Sequence, residues 1–414
     1  MYMNTKKDSW KRTFYTIFAG QAFSLLGSAV VQFSIIWWLT EATGSAVVLT
    51  IASMAGFLPQ ALIGPFAGTI VDRLDRKKIM IAADMFIAFV SLVLAMLFFA
   101  GMEPPVWAFY VILGLRSIGS AFHMPSMQAS IPLIAPEDQL MKVQGWMQTL
   151  TSAVHMAGPM LGAFLLAYFS MEAVLLLDVL GALLASAALL MVHIPNPERS
   201  APEEGASGMR SEIKAGLREL MKSKGLLVIT AAIGFTTFVY VPVGALFTLM
   251  VLNHFGKGAW HAGVVEFSFA AGMLVGSLLL GSWGAKRNRV YLLTGGIALL
   301  GAGLFFAGLL PVSGFVGFVL LSGLMGVSGP LFGGPFAVLL QTTIDPAVQG
   351  RVMSLVNSLM LIATPIGLLV AGPVAEAIGV DSWFSLSGIA IVLIGLCPLL
   401  FPAVRELKAS AASQ

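Results

Sequence analysis

Charged side chains are scarce in this sequence: Asp, Glu, Lys and Arg make up 10% of 414 residues, against about a quarter in soluble globular chains. With 58% hydrophobic residues, the chain cannot clothe a water-facing surface, so most of its exterior must meet lipid. Cysteine is almost missing. The single thiol, Cys397, excludes an intrachain disulfide, and its apolar run before Pro398 predicts a buried structural role. There is no N-x-Ser/Thr sequon, no G-x-x-x-x-G-K-[ST] loop and no zinc-ligand cluster of His and Cys. ATP hydrolysis and metal-hydrolase chemistry therefore have no support. No catalytic constellation is present, so the chain reads as a non-enzyme without cofactor or metal, and nothing points to nucleic acid. A cleavable signal peptide is not expected either. The basic start Lys6, Lys7, Lys11, Arg12 leads into an apolar run too long for an h-region, which reads as a first membrane helix.

What is abundant is glycine (44), phenylalanine (28) and methionine (22), a mixture suited to close helix packing around an adaptable apolar cavity. About 20 apolar residues suffice to cross a bilayer. Twelve such spans can be drawn, at 14–39, 46–71, 79–101, 107–133, 143–168, 173–193, 225–252, 261–283, 290–310, 315–341, 348–378 and 383–402. They are numbered here helix 1 to helix 12. If both termini are cytoplasmic, every one of the 23 Lys and Arg falls on the cytoplasmic side except Lys257 outside and Arg116 within the membrane. That is a strong positive-inside pattern. The one long polar stretch lies between helices 6 and 7. The expected organisation is a six-helix bundle over 1–193, a cytoplasmic linker over 194–224 and a second six-helix bundle over 225–414 with a short tail. Within the linker, Ser211 to Lys222 has the composition of a short amphipathic surface helix, although a solvated tether explains it more simply. Gly119, Phe122, Pro125 and Pro136, in and just after helix 4, recur as Gly329, Phe332, Pro335 and Pro346 around helix 10, each 210 residues later. A duplicated six-helix unit accounts for this.

Polar residues at helical spacing mark candidate pathway-lining faces, because Gln and His are costly against lipid tails. Helix 1 carries Gln21, Ser24, Ser28 and Gln32. Helix 5 carries Gln144, Gln148, Thr151, His155, Gly158 and Gly162 in steps of four and three, hence on one face. Helix 7 carries Thr237, Tyr240, Gly244 and Thr248, whereas helices 9 and 12 show no such stripe. From these we expect Gln21, Gln32, His155 and Tyr240 to face a shared cavity.

Between helices 2 and 3, Gly68, Asp72, Arg73, Asp75, Arg76 and Lys77 form a segment that resembles the signature loop of the major facilitator superfamily, G-x-L-a-D-r-x-G-r-k, with Asp75 in place of the second glycine. Its carboxylate and cations at a helix end can pair with neighbouring helices and hold one conformation. Asp84, near the same end of helix 3, is expected to brace this loop. Gly158, Pro159 and Gly162 resemble the G-P-x-x-G-G motif of the superfamily's antiporters, and a proline kink among small residues lets helices pack closely and pivot. Arg116 resembles the arginine of the R-x-x-q-G motif. A permanently charged guanidinium at this depth needs water or a carboxylate, and Asp178, Glu266 and Asp84 are the candidates. Along its whole length, in WKRTFYTIFAGQAFSLLGSAVVQ, DRLDRKKIMIAAD, LRSIGSAFHMPS and LLLDVLGA among other segments, the chain is similar to the macrolide-efflux branch of this superfamily.

That resemblance implies proton-driven export of macrolide-like drugs across the bacterial cytoplasmic membrane, with protons and membrane lipid as the other partners. For coupling, Glu266, Asp178 and Arg116 are the candidates: Glu266 as proton carrier, and Asp178 as the acid that neutralises Arg116. Other readings stay open. They are a facilitator or importer of another solute, a lipid translocator, a non-transporting sensor, and an ABC-pump partner.

Overall fold

The computed structural model describes residues 4–71, 74–136, 139–194, 217–282, 284, 287–344, 346–404 and 407. Among them every regular element is helical. Twelve long helices follow in order: α1 (Asn4–Thr43), α2 (Ala46–Val71), α3 (Arg76–Phe99), α4 (Val106–Ile134), α5 (Leu140–Tyr168) and α6 (Met171–Leu190), then α7 (Lys224–Ala245), α8 (Ala259–Ser282), α9 (Arg289–Gly308), α10 (Phe315–Thr343), α11 (Pro346–Ile378) and α12 (Val380–Leu396). Each contains a stretch long and apolar enough to cross a membrane, so the protein is a multi-pass membrane protein. Side chains such as Leu278, Val316 and Leu320 stand 70% or more exposed, as lipid-facing residues do.

Helix ends follow local chemistry. Asp75, which replaces the loop's second glycine, has extended backbone and caps α3 by accepting from the Lys78 amide at 3.2 Å. A capping carboxylate thus starts the helix where the family's loop carries a glycine. Ser223 and Asn288 cap α7 and α9 in the same way. The seventh span is not one helix to residue 252: α7 stops at Ala245, and a short turn (Phe247–Leu249) and a π-helical turn (Met250–His254) follow. The last helix also ends earlier than expected, because α12 gives way to a 3-10 turn, Cys397–Leu400, at Pro398, which has no N–H to continue the ladder. Cys397 is exposed, contrary to the buried role expected. It borders a shallow apolar groove of about 390 Å³ with Phe235, Leu393 and Phe401, so its apolar sequence surroundings reflect an outward face rather than a core. Of the expected amphipathic segment, residues 217–222 are helical, with Leu220 buried and Lys222 paired with Glu219 at 2.5 Å. Its earlier part lies outside the described residues.

The chain forms two compact units, one of residues 1–43 and 51–202, the other of residues 44–50 and 203–414. The duplication read in the sequence is matched in shape: α4 and α10 are both 29 residues long, with Pro125 and Pro335 inside them.

Glycines close both units, most tightly in the second. In the second, glycines bring backbones together. A Cβ at Gly272 of α8 would overlap the Gly323 carbonyl of α10, one at Gly326 would overlap the Phe269 carbonyl, and Gly388 of α12 is as tight against Phe305 of α9. In the first unit, α1 packs on α5 and α6 through small residues. A Cβ at Gly158 would fall 2.6 Å from Ala29 Cβ, and one at Gly162 would fall 2.8 Å from the Phe33 ring.

Candidate functional site

The first unit holds two buried polar clusters. In one, Asp178 of α6 and Arg116 of α4 form an ion pair, both nearly excluded from solvent. Ser91 of α3 donates to Asp178 Oδ2 at 2.6 Å while accepting from Arg116 Nη1 at 2.5 Å. Ser28 of α1 donates to Asp178 Oδ1 at 2.7 Å, and its carbonyl accepts from Arg116 Nη2 at 3.2 Å. Four helices therefore contribute to one charge pair, although Arg116 Nε makes no hydrogen bond. A lone guanidinium or carboxylate at this depth would be strongly unfavourable, whereas paired and hydrogen-bonded charges are tolerated. Of the three acids the sequence offered to Arg116, the structure supplies Asp178.

In the other cluster Asp84 of α3 meets α1 and α4. Gln21 Nε2 donates to Asp84 Oδ2 at 3.3 Å and Ser24 Oγ donates to Oδ1 at 3.2 Å. His123 Nε2 of α4 lies 3.5 Å from Oδ1. Asp84 therefore looks into the bundle, where it accepts from α1 and lies beside His123 of α4, rather than bracing the loop as expected. Gln21 is fully buried against it, which removes Gln21 from the cavity-facing set. The physical reason is common to both corrections: a buried carboxylate needs donors, and the α1 stripe supplies them. Gln32, the last member of the stripe, is partly exposed and lies 3.6 Å from the position of a Cβ on Gly56.

The clusters are in register. Gln21 and Ser28 on α1, Asp84 and Ser91 on α3, and Arg116 and His123 on α4 are all seven residues apart. Seven residues are two helical turns, about 10 Å, on one face.

Of the loop residues, Gly68 falls in α2, while Asp72 and Arg73 lie outside the described residues. Arg76 Nη1 donates to the Ala129 carbonyl of α4 at 2.6 Å, and Lys77 Nζ donates to the Val192 carbonyl just beyond α6 at 2.8 Å. The cations at the start of α3 thus tie it to the ends of α4 and α6, where helix carbonyls carry partial negative charge. Gly158 and Gly162 face α1, with Pro159 between them in α5. His155 is exposed on α5.

In the second unit Tyr240 of α7 stacks on Phe269 of α8, centroids 6.5 Å apart. Glu266 lies one helical turn from Phe269, half-buried. No hydrogen bond or ion pair involves it among the described residues. Thr237, on the Tyr240 stripe, bonds the Ile233 carbonyl at 3.0 Å and meets Met360 Sδ at 3.2 Å. Among the described residues no group of three His, Cys, Asp or Glu could hold a metal ion.

The family model described as Major Facilitator Superfamily matches residues 17–367. The chain belongs to the Major Facilitator Superfamily. Within it the transporter falls in the macrolide-efflux branch. It is 44% identical over 396 residues to macrolide efflux protein A of Streptococcus pyogenes, covering 95% of this chain and 97% of that one. It is 43% identical over 325 residues to macrolide efflux protein A of Enterococcus faecalis, covering 78% and 100%. The fold matches a bacterial homologue of the human lysosomal transporter Spinster, solved facing inward, with a TM-score of 0.72 at 12% identity over 98% of both chains.

Two participants escaped the sequence reading, Ser91 and His123. Both were within reach of helical periodicity: each lies seven residues from a residue already singled out, Asp84 in one case and Arg116 in the other. A polar residue two turns from a buried charge shares its face.

Proposed function

We propose that this transporter exports macrolide antibiotics or similar bulky amphiphilic drugs from the bacterial cytoplasm, driven by inward proton flow, with both termini cytoplasmic. The kinship with macrolide efflux protein A over nearly the whole chain supports the substrate class. One observation carries the coupling. Of the three carboxylates deep in the helices, Asp178 is paired with Arg116 and Asp84 accepts from Gln21 and Ser24, whereas Glu266 has neither hydrogen bond nor ion pair among the described residues. A carboxyl without a fixed counter-charge can exchange a proton as its surroundings change between conformations. Alternating access then follows from the two duplicated units, as in transporters built from repeats. The test is a drug-susceptibility panel in an efflux-deficient host. Expression should raise resistance to macrolides, and a protonophore should abolish the gain. Resistance that survives the protonophore refutes the coupling, and no macrolide resistance at all refutes the substrate.

A further inference from the structure

Two cations, Arg116 and Lys257, break the positive-inside pattern of the sequence. Arg116 is explained by its pairing with Asp178. Lys257, between the π-helical turn and α8, is half-buried, yet its ammonium makes no hydrogen bond or ion pair among the described residues. It lines an open groove of about 700 Å³ with His261, Ser313, Phe315, Val312 and Val316, and no Asp or Glu borders that groove. Local contacts set its shape. His254 Nε2 donates to the Leu310 carbonyl at 2.8 Å, which ties the turn before α8 to the chain just after α9. The rings of Phe255 and His261 pack edge to face with Phe315, centroids 5.7 and 5.1 Å away.

We propose that this groove binds the headgroup of an anionic glycerophospholipid, with Lys257 and His261 on its phosphate. The lining residues stand at the starts of α8 and α10 and in the turns before them, where membrane helices meet the headgroup layer. Trp260, in the first turn of α8, is 45% exposed, as aromatic residues of that layer are. The groove is as two-sided as a phospholipid. Lys257, His261 and Ser313 offer donors to phosphate oxygens, the ammonium through a charge-assisted bond, and a neutral imidazole N–H suffices for the second. Val312 and Val316 are 62% and 71% exposed and offer apolar cover to the start of the acyl chains. A free phosphate ion would leave that wall uncovered, so the lipid is the better occupant. The volume lies within the range of small-molecule sites, about 300–1,000 Å³. With both termini cytoplasmic the site faces the outer leaflet, but binding itself depends neither on that orientation nor on export.

The test places the full-length protein in phosphatidylcholine nanodiscs carrying a fixed fraction of brominated phosphatidylglycerol or, in a parallel sample, brominated phosphatidylcholine. Bromine on the acyl chains quenches nearby indoles, and the share owed to Trp260 is the difference from Trp260→Phe. In the wild type, the anionic lipid should quench Trp260 more than the zwitterionic one. Lys257→Gln should cut that preference about fivefold, and Lys257→Arg should retain it. Ser313→Glu keeps Lys257 but sets a like charge against the phosphate, so it should abolish the preference independently. Equal quenching by the two lipids, or a preference unchanged in either Lys257→Gln or Ser313→Glu, overturns the site. Loss of the preference on adding inorganic phosphate at constant ionic strength assigns the groove to a free ion and overturns the lipid.

Discussion

Arg116 and Asp178 meet across the hydroxyl of Ser91, which accepts from the guanidinium at 2.5 Å and donates to the carboxylate at 2.6 Å. The serine therefore belongs to the charge pair as much as either ion does. Asp178→Asn strands a buried guanidinium and should cost about 3–5 kcal/mol, read as a lower thermal midpoint and folded yield. Adding Arg116→Gln should recover much of the loss, because the unpaired charge is then gone. Equal stability of the single and double variants would contradict a structural pair.

Gly158 and Gly162 set the approach of α5 to α1. Gly158→Leu and Gly162→Leu should each cut transport more than about tenfold and lower stability by several kcal/mol, since the added side chains meet Ala29 and Phe33. Gly145→Ala on the same helix meets nothing within 4 Å and should leave both unchanged.

The loop between α2 and α3 should act on turnover rather than folding. Asp72→Asn is expected to reduce transport while membrane insertion and expression stay at wild-type level. Arg76→Ala should do the same and also loosen the end of α4, whose Ala129 carbonyl it holds. Drug accumulation in everted vesicles, at matched expression, decides both.

Cysteine scanning separates the sequence expectation from the structure at a single residue. In a Cys397→Ser background, needed because the native thiol is exposed, cysteines at Gln32, His155 and Tyr240 should react with a water-soluble thiol reagent. Cysteines at Gln21, and at the buried Leu300 of α9 and Ile391 of α12, should not. A reactive position 21 would reopen its assignment to the cavity.

Glu266→Gln should abolish uphill export while preserving downhill exchange of the drug. Asp178→Asn, where it folds, should weaken both together. Continued accumulation against a gradient by the Gln variant would remove Glu266 from the coupling scheme.

Most of the fold could be read because membrane helices are written in long apolar runs: the second span, 46–71, coincides with α2. The failures came where a second physical demand competed with that pattern. The apolar run through residue 252 concealed a break after Ala245, since hydropathy is blind to the change from α to π winding. The stripe of Gln21, Ser24 and Ser28 was correctly located on one face, but polarity alone could not distinguish a cavity wall from a set of donors for Asp84 and Asp178. Asp178 was the acid the sequence favoured for neutralising Arg116, but the part played by Ser91 and Ser28 in that pair needed distances.

The serine–aspartate–arginine knot of the first unit, set beside the tight glycine joints of the second, has a genetic consequence. A saturation library should show intolerant positions of two chemical kinds. Around Gly272, Gly326 and Gly388 any enlargement should be lethal whatever its polarity. Around Ser28, Ser91, Arg116 and Asp178 survivors should instead be found as compensating pairs that keep the net charge. Two copies of one ancestral half would then share one rule, enlargement forbidden at their helix-joining glycines, while the first adds a second, change allowed only two residues at a time.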